Sequence, residues 1–292
     1  MIYCQRQLAD YCKSSGKALH EIVLEDEVIY SKRKPEDIRK ELSDMYKVMK
    51  RSGEHFLDDE SQTTMNLIAG FSKKLEAYAN SGKSLIGNDM IHLMASAFSV
   101  IELNSSMGKI VAAPTAGAAG IIPAVLEYYT RKKAVSEEKI VNALLSSAGV
   151  GQIIGKFANF SGAQGGCQAE TGSASAMGAG ALAYLEGGDV NLILNAASIA
   201  LLNLMGLICD PIGGIVEFPC GFRNASGAVN ALISADMAMA GLNSTVPFEE
   251  ICSAMDKTGK SLPEALRETG MGGVAATKTG VQIKKDFFKQ IF

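Results

Sequence analysis

Three of the six cysteines in this 292-residue chain sit where a thiol could do chemistry. Cys167 lies in Ser-Gly-Ala-Gln-Gly-Gly-Cys-Gln-Ala-Glu, Cys209 in Gly-Leu-Ile-Cys-Asp-Pro-Ile-Gly-Gly, and Cys220 in Glu-Phe-Pro-Cys-Gly-Phe-Arg-Asn. Each setting predicts a helix end or a Gly/Pro turn, where free backbone N–H groups suit a thiolate or a cluster sulfide. Cys4 and Cys12 fall in an expected N-terminal helix. Cys252 shares a helical pattern with Ile251 and Met255, where a free cysteine acts as a small hydrophobe. The intervals separating Cys167, Cys209 and Cys220 match no compact cluster or zinc signature, so spacing alone leaves metal ligation and plain burial both open.

The elements that must position these thiols read as helices. Residues 1–54 form the most polar part and are expected to hold two short helices joined by a connector. Pro35, followed by Glu36 and Asp37, starts one of them, with Ile38, Leu42, Met45 and Met49 recurring at helical spacing. Residues 55–66 have no clear period and suggest a boundary or an active-site loop, dividing an N-terminal helical segment (1–54) from a catalytic helical domain (55–292). Further on, Asn88 or Asp89, Pro123, and Ser136 with Glu137 and Glu138 each mark a helix start. Thr171 to Leu185 and Ser226 to Leu242 are rich in Ala, Gly and Ser, so their backbones could approach neighbours closely at the centre of a core. The expected fold is all-α, with room for a few short strands and with Gly/Pro-rich loops around the cysteines.

Composition narrows the function classes. With 47% hydrophobic and 20% charged residues the chain is of globular type, and its net charge of -3 offers no basic stripe for nucleic acid. The first residues, to Leu19, lack the order of a secretory signal, and the apolar stretch Val190 to Ile208 is interrupted by Asn191, Asn195, Ser198 and Asn203. A cytoplasmic protein with reduced cysteines and no membrane span is expected. Neither Gly-Lys-Ser has the upstream glycine of a phosphate loop, since Ala77 and Ala254 occupy the needed positions. Gly178-x-Gly180-x-x-Ala183 lacks the preceding strand of a dinucleotide fingerprint. The Ser-x-Lys runs ending at Lys17, Lys74 and Lys83 lack the Arg-Gly that follows in pyridoxal-phosphate serine dehydratases.

The wording around the cysteines goes further. The runs at 165–177, 206–220 and 223–231, with Met-Gly-Lys-Ile-Val-Ala-Ala-Pro-Thr-Ala-Gly-Ala-Ala-Gly-Ile-Ile-Pro (107–123) and Leu-Arg-Glu-Thr-Gly-Met-Gly-Gly-Val-Ala-Ala-Thr (266–277), closely resemble the α chain of iron-sulfur-dependent L-serine dehydratase. The likeness runs from about residue 15 to the C-terminus. It implies a 4Fe-4S cluster on Cys167, Cys209 and Cys220, and conversion of L-serine to pyruvate and ammonia, a step of amino-acid degradation and gluconeogenesis. Three thiolates on four irons would leave one iron open as a Lewis acid on the serine hydroxyl, worth several kcal/mol, where each ~1.4 kcal/mol is tenfold in rate.

Thr115 and Gly117, in the turn Ala-Pro-Thr-Ala-Gly, and Arg223 with Asn224, just past Cys220, are the expected substrate contacts. No base is assigned. His20, His55 and His92 are the only histidines and lie outside the matching runs. The family's Ser-Ser-His-Thr segment belongs to a β region, which here would be a separate β subunit in a hetero-oligomer; a homodimer of the α chain is the other assembly expected.

The resemblance is not complete. Where the family has a Ser-Gly-Leu-Ile-Gly-Gly type loop, this chain has Met65-Asn66-Leu67-Ile68-Ala69-Gly70, which replaces two glycines. The cysteine tail of some single-chain members is not matched at Gln290-Ile291-Phe292, so no fourth ligand is expected from this chain. A related iron-sulfur lyase acting on cysteine or another β-substituted amino acid, and a non-catalytic cluster-binding subunit, are the alternatives.

Overall fold

The computed structural model describes residues 4–291. The first three residues of the segment weighed as a signal, and the last residue of the C-terminal run, lie outside it. The N-terminal part holds three helices rather than two: α1 (Gln5–Ser15), α2 (Leu19–Ser31) and α3 (Pro35–Glu54). The missed break is Gly16, which ends α1 in the left-handed conformation at φ 70°. Pro35 takes the first position of α3, with Glu36 and Asp37 in its first turn, as the sequence predicts.

After an irregular stretch come α4 (Phe71–Asn80), α5 (Asn88–Ser105), α6 (Ile121–Lys132) and α7 (Glu137–Phe157). Ser136 caps α7 by accepting from Lys139 N at 3.3 Å. At α5, however, Gly87 rather than Asn88 or Asp89 takes the cap position, and α6 starts two residues before Pro123. The rest comprises α8 (Gly162–Gly165), a π-turn (Gln168–Gly172), α9 (Ser173–Leu185), α10 (Val190–Leu204), α11 (Cys220–Met239), α12 (Phe248–Ser261) and α13 (Lys278–Ile291). No strand forms among the described residues; a single parallel bridge joins Cys209 to Arg267.

Small residues at the centre explain the packing. α9 lies against α7, α10 and α11. A Cβ added at Gly180 would stand 2.9 Å from Val150 Cγ2, and one at Gly178 would stand 3.3 Å from Ala231 Cβ, so helix axes approach more closely than larger residues permit. Leu8, Leu19, Ile22, Ile38 and Met49 of α1 to α3 join the same buried cluster as Ile153, Leu182 and Ile193. α3 ends at Glu54, and the helices on both sides of residue 55 share one core. The stretch Val190 to Ile208 contains α10, which ends at Leu204; the one described helix long and apolar enough to cross a membrane is α7, and it is mostly buried.

α12 braces the first cysteine loop. A Cβ at Gly259 would stand 2.6 Å from Gly165 Cα and 2.9 Å from its carbonyl oxygen, both backbone atoms that cannot rotate aside. Gly259→Ala is therefore expected to cost about 1–3 kcal/mol of stability through overpacking. Urea denaturation checks this, and an unchanged midpoint would contradict the tight packing of α12 on that loop.

Candidate functional site

The three singled-out cysteines are all buried, with 3% (Cys167), 3% (Cys209) and 7% (Cys220) of their surface exposed; Cys167 and Cys209 lie within 4.8 Å of each other, and Cys220 is near enough for the charge of Cys167 to act on it. Each arrives by a different local device. Cys167 follows Gly166, whose φ of 75° turns the chain out of α8, and it opens the π-turn, an uncommon helical form often found at functional sites. Cys209 is pinned by its bridge, with Cys209 N donating to Leu266 O at 2.9 Å and Glu268 N donating to Cys209 O at 2.7 Å. Cys220 is the first residue of α11.

Two carboxylates that the sequence reading did not single out complete the cavity. Glu170, on the π-turn, has an oxygen 2.8 Å from the position a Gly117 Cβ would take and another 2.7 Å from that of Gly162. Cys209 Sγ (3.0 Å) and Glu268 Oε2 (3.1 Å) surround the same Gly162 position. The glycines of two separate loops are thus the space in which these side chains converge. A ligand atom of each of Cys167, Glu170 and Cys209 lies within 4.8 Å of the others. Both glutamates occur in runs quoted above, and Glu170 lies three residues from Cys167, but nothing local to Glu268 ties it to a thiol.

The electrostatics follow from burying so many acids around one base. Hydrogen bonding with Cys209 and the charge of Arg223 outweigh burial and hold the Cys167 thiol down to about 6, while the same pairing and burial push Cys209 up. Burial, reinforced by Cys167, Glu170 and Glu268, pushes Cys220 up, although it opens a helix. Burial also raises Glu170 to about 7, against a 2.7 Å hydrogen bond from Thr115 Oγ1. Arg223 Nη2 donates to Asp210 Oδ1 at 2.5 Å, and its buried Nη1 finds no hydrogen-bond partner.

The four expected substrate contacts sit around this cavity in different roles. Thr115 holds Glu170, and Arg223 carries the spare donor. Asn224 is fully buried and fastens the turn of Gly117 to the start of α11, donating to Gly117 O (2.7 Å) and Cys220 O (2.9 Å) and accepting from Gly120 N (2.9 Å). The histidines lie elsewhere: His20 packs on Tyr184, His55 on Phe56, and His92 pairs with Glu76 at 2.5 Å. Cys252 is buried in the apolar core, and Cys4 and Cys12 belong to α1 and its cap.

The altered loop at 65–70 borders the site. Met65 N (2.6 Å), Leu67 N (2.9 Å) and Thr63 Oγ1 (2.7 Å) all donate to the buried carboxylate of Glu217, and Met65 Sδ stands 3.4 Å from the Cβ position of Gly213, between Cys209 and Cys220. Asn66 has φ 54°, the left-handed conformation that glycine adopts freely and asparagine tolerates.

Fold and site together define an all-α protein with a buried, thiol- and carboxylate-lined centre able to hold a metal. A sequence model of the "Serine dehydratase alpha chain" family matches residues 14–275. The chain is 50% identical to the "L-serine dehydratase, alpha chain" of Peptoniphilus asaccharolyticus, over 99% of both proteins. It is 39% identical to the "Probable L-serine dehydratase, alpha chain" of Bacillus subtilis, over 97% of this chain and 94% of that one. The L-serine dehydratase of Streptomyces coelicolor is longer: the match is 36% identical and covers 92% of this chain but 59% of the relative. The chain belongs to the serine dehydratase alpha chain family.

Replacing Asn224 by Ala would strand Gly120 N–H and the carbonyl of Gly117. Each unsatisfied buried group costs about 1–3 kcal/mol, so a loss of at least about 2 kcal/mol in denaturant unfolding is expected. A loss below about 0.5 kcal/mol would contradict the fastening role.

Proposed function

We propose that this chain is the cluster-bearing half of an L-serine dehydratase, a cytoplasmic carbon-oxygen lyase. In this reading Cys167, Cys209 and Cys220 hold a 4Fe-4S cluster, and a separate β chain completes the enzyme. The observation that supports the reading is that the buried thiols of Cys167 and Cys209 converge with Glu170, all within 4.8 Å, while a third buried thiol, Cys220, feels the charge of Cys167 and only one guanidinium, Arg223, faces these acids. Such a donor set fits a cationic metal centre, because metal binding replaces the protons that burial otherwise forces onto Cys209 and Cys220. When bound, the cluster would supply a Lewis-acidic iron with one position free of protein sulfur.

The chain's own residues bind and orient the substrate. Arg223 Nη1, buried and unpartnered, is placed to take the carboxylate of an amino acid, while Asp210 holds the guanidinium through Nη2. Thr115 fixes the Glu170 carboxylate, and Asn224 fixes the turn of Gly117 that leaves room for it. Burial of the three thiols keeps bulk water from their sulfurs. Loss of the serine Cα proton and β-hydroxyl gives aminoacrylate, which tautomerises and hydrolyses to pyruvate and ammonia. None of this chain's histidines lies at the site among the described residues, so in this reading the β chain supplies the missing proton-transfer group.

Anaerobic protein is expected to be brown and to carry about four irons per chain, as a cubane requires. Cys167→Ala, Cys209→Ala and Cys220→Ala should each lose that iron while Cys252→Ala keeps it. Together with the β chain, but not alone, the wild type should form pyruvate from serine. A colourless protein with one zinc, or iron retained in all three variants, would reject the cluster. A brown complex active on cysteine but not on serine would reject the substrate.

A further inference from the structure

The two carboxylates of the cavity, Glu170 and Glu268, come from distant parts of the chain and meet at one point. Glu170 Oε2 and Glu268 Oε2 lie 2.7 and 3.1 Å from the position left open by the missing Cβ of Gly162. This placement is built rather than incidental. Glu268 has φ 64°, a conformation uncommon for a non-glycine residue, and the bonds that keep it there, Glu268 N to Cys209 O and Cys209 N to Leu266 O, also seat Cys209. Glu170 is held by Thr115 Oγ1 at 2.7 Å, and Gly117 gives it room.

The cavity's cation does not neutralise this pair. Arg223 is bound to Asp210 at 2.5 Å, and Asp210 Oδ2 also accepts from Val274 N at 2.6 Å. Asp210 and Cys167 already share the charge of Arg223, so this one guanidinium cannot neutralise both glutamates as well, and its Nη1 donor has no hydrogen-bond partner. Such an arrangement is complementary to a zwitterion: a cation relieves the repulsion between like charges, and an anion satisfies the free donor.

Resting on the reading that an amino acid is the substrate, we infer that Glu170 and Glu268 together receive its ammonium group, opposite the carboxylate bound by Arg223. They are then catalytic residues in the sense of touching substrate, and they make the site selective for amino acids over hydroxy acids of the same shape. The inference concerns binding of a charge, not transfer of the substrate's Cα proton.

The test uses the cluster-loaded complex with its β chain and two ligands: L-serine, followed by its KM for pyruvate formation, and 3-hydroxypropanoate, which is serine with hydrogen in place of the amino group, followed as a competitive inhibitor; a complex that shows no turnover is titrated with both by calorimetry. The wild type should bind serine at least tenfold more tightly. Glu170→Gln and Glu268→Gln, both nearly isosteric, should each weaken serine tenfold or more, keep 3-hydroxypropanoate within about twofold, and retain the wild-type iron content. A serine preference that survives in both variants, or equal weakening of both ligands, would overturn the inference. Loss of iron from Glu170→Gln would also overturn it, because that carboxylate would then be a metal ligand. If the wild-type complex makes no pyruvate from serine, the dehydratase reading fails; the same two-ligand comparison still decides whether the pair recognises an ammonium group.

Discussion

The structure depends on keeping six acidic side chains around one guanidinium, with the three thiols and Asp210 buried and the two glutamates half-buried. Cys167, Cys209, Cys220, Glu170, Glu268 and Asp210 share the space with Arg223. In such a medium anions cannot all ionise, because desolvation and mutual repulsion both favour the protonated forms. The raised Cys209, Cys220 and Glu170 express that directly. Cys167 is the exception, since Cys209 shares a hydrogen with it and Arg223 faces it. A cavity in this condition favours any cation that can displace the protons, and its affinity for a thiophilic metal follows from the same imbalance.

Holding these groups together is costly, and the fold answers with short, inflexible devices at the ends of well-packed helices. The π-turn, the Cys209–Arg267 bridge and the start of α11 each fix one thiol, while Gly117 and Gly162 remove the side chains that would keep the carboxylates out. Behind them, α9, α10 and α11 pack through alanine and glycine, so small shifts in the site meet a core with little slack. The side chain of Asn224 spans the two regions: it starts in α11 and ends on the turn that carries Thr115 and Gly117. The site's geometry is therefore a property of the core as much as of the loops.

Much of this was legible in the sequence, for identifiable reasons. Helix starts with a strong chemical signature, such as Pro35 and Ser136, fall where the residues predict. Starts without a side-chain cap, such as that of α5 after Gly87, fall a residue or two away. Cys167, Cys209 and Cys220 were set apart from Cys252 by their Gly and Pro neighbours, and each does fall at a turn, a bridge or a helix end, because turn chemistry is local. Glu170 and Glu268 could not be singled out in the same way. Their importance comes from meeting across about a hundred residues of chain, at a glycine whose lack of a side chain matters only in three dimensions. The split between α1 and α2 was missed because Ser-Gly-Lys-Ala reads equally well as a tolerated interruption.

The loop at 61–72 shows how a departure from the family pattern is absorbed. Asn66 keeps the left-handed backbone that a glycine would supply, and its own side chain is exposed, so the path of the loop survives the change in residue. Two fully buried carboxylates then hold that path. Glu217 gathers Thr63, Met65 and Leu67, while Glu102 gathers Ser61 at 2.5 Å and the backbone N–H of Ser72 at 2.8 Å. Neither has an ion-pair partner among the described residues, so neutral donors supply the stabilisation, and hydrogen bonds to a charged acceptor are stronger than those to a neutral one. Glu217 stands just before the Phe218-Pro219-Cys220 run, and Met65 lies on Gly213 in the segment between Cys209 and Cys220. The loop and the cysteine are consequently positioned by one set of bonds, so a residue exchange in the loop that leaves those bonds intact leaves the thiol where it was.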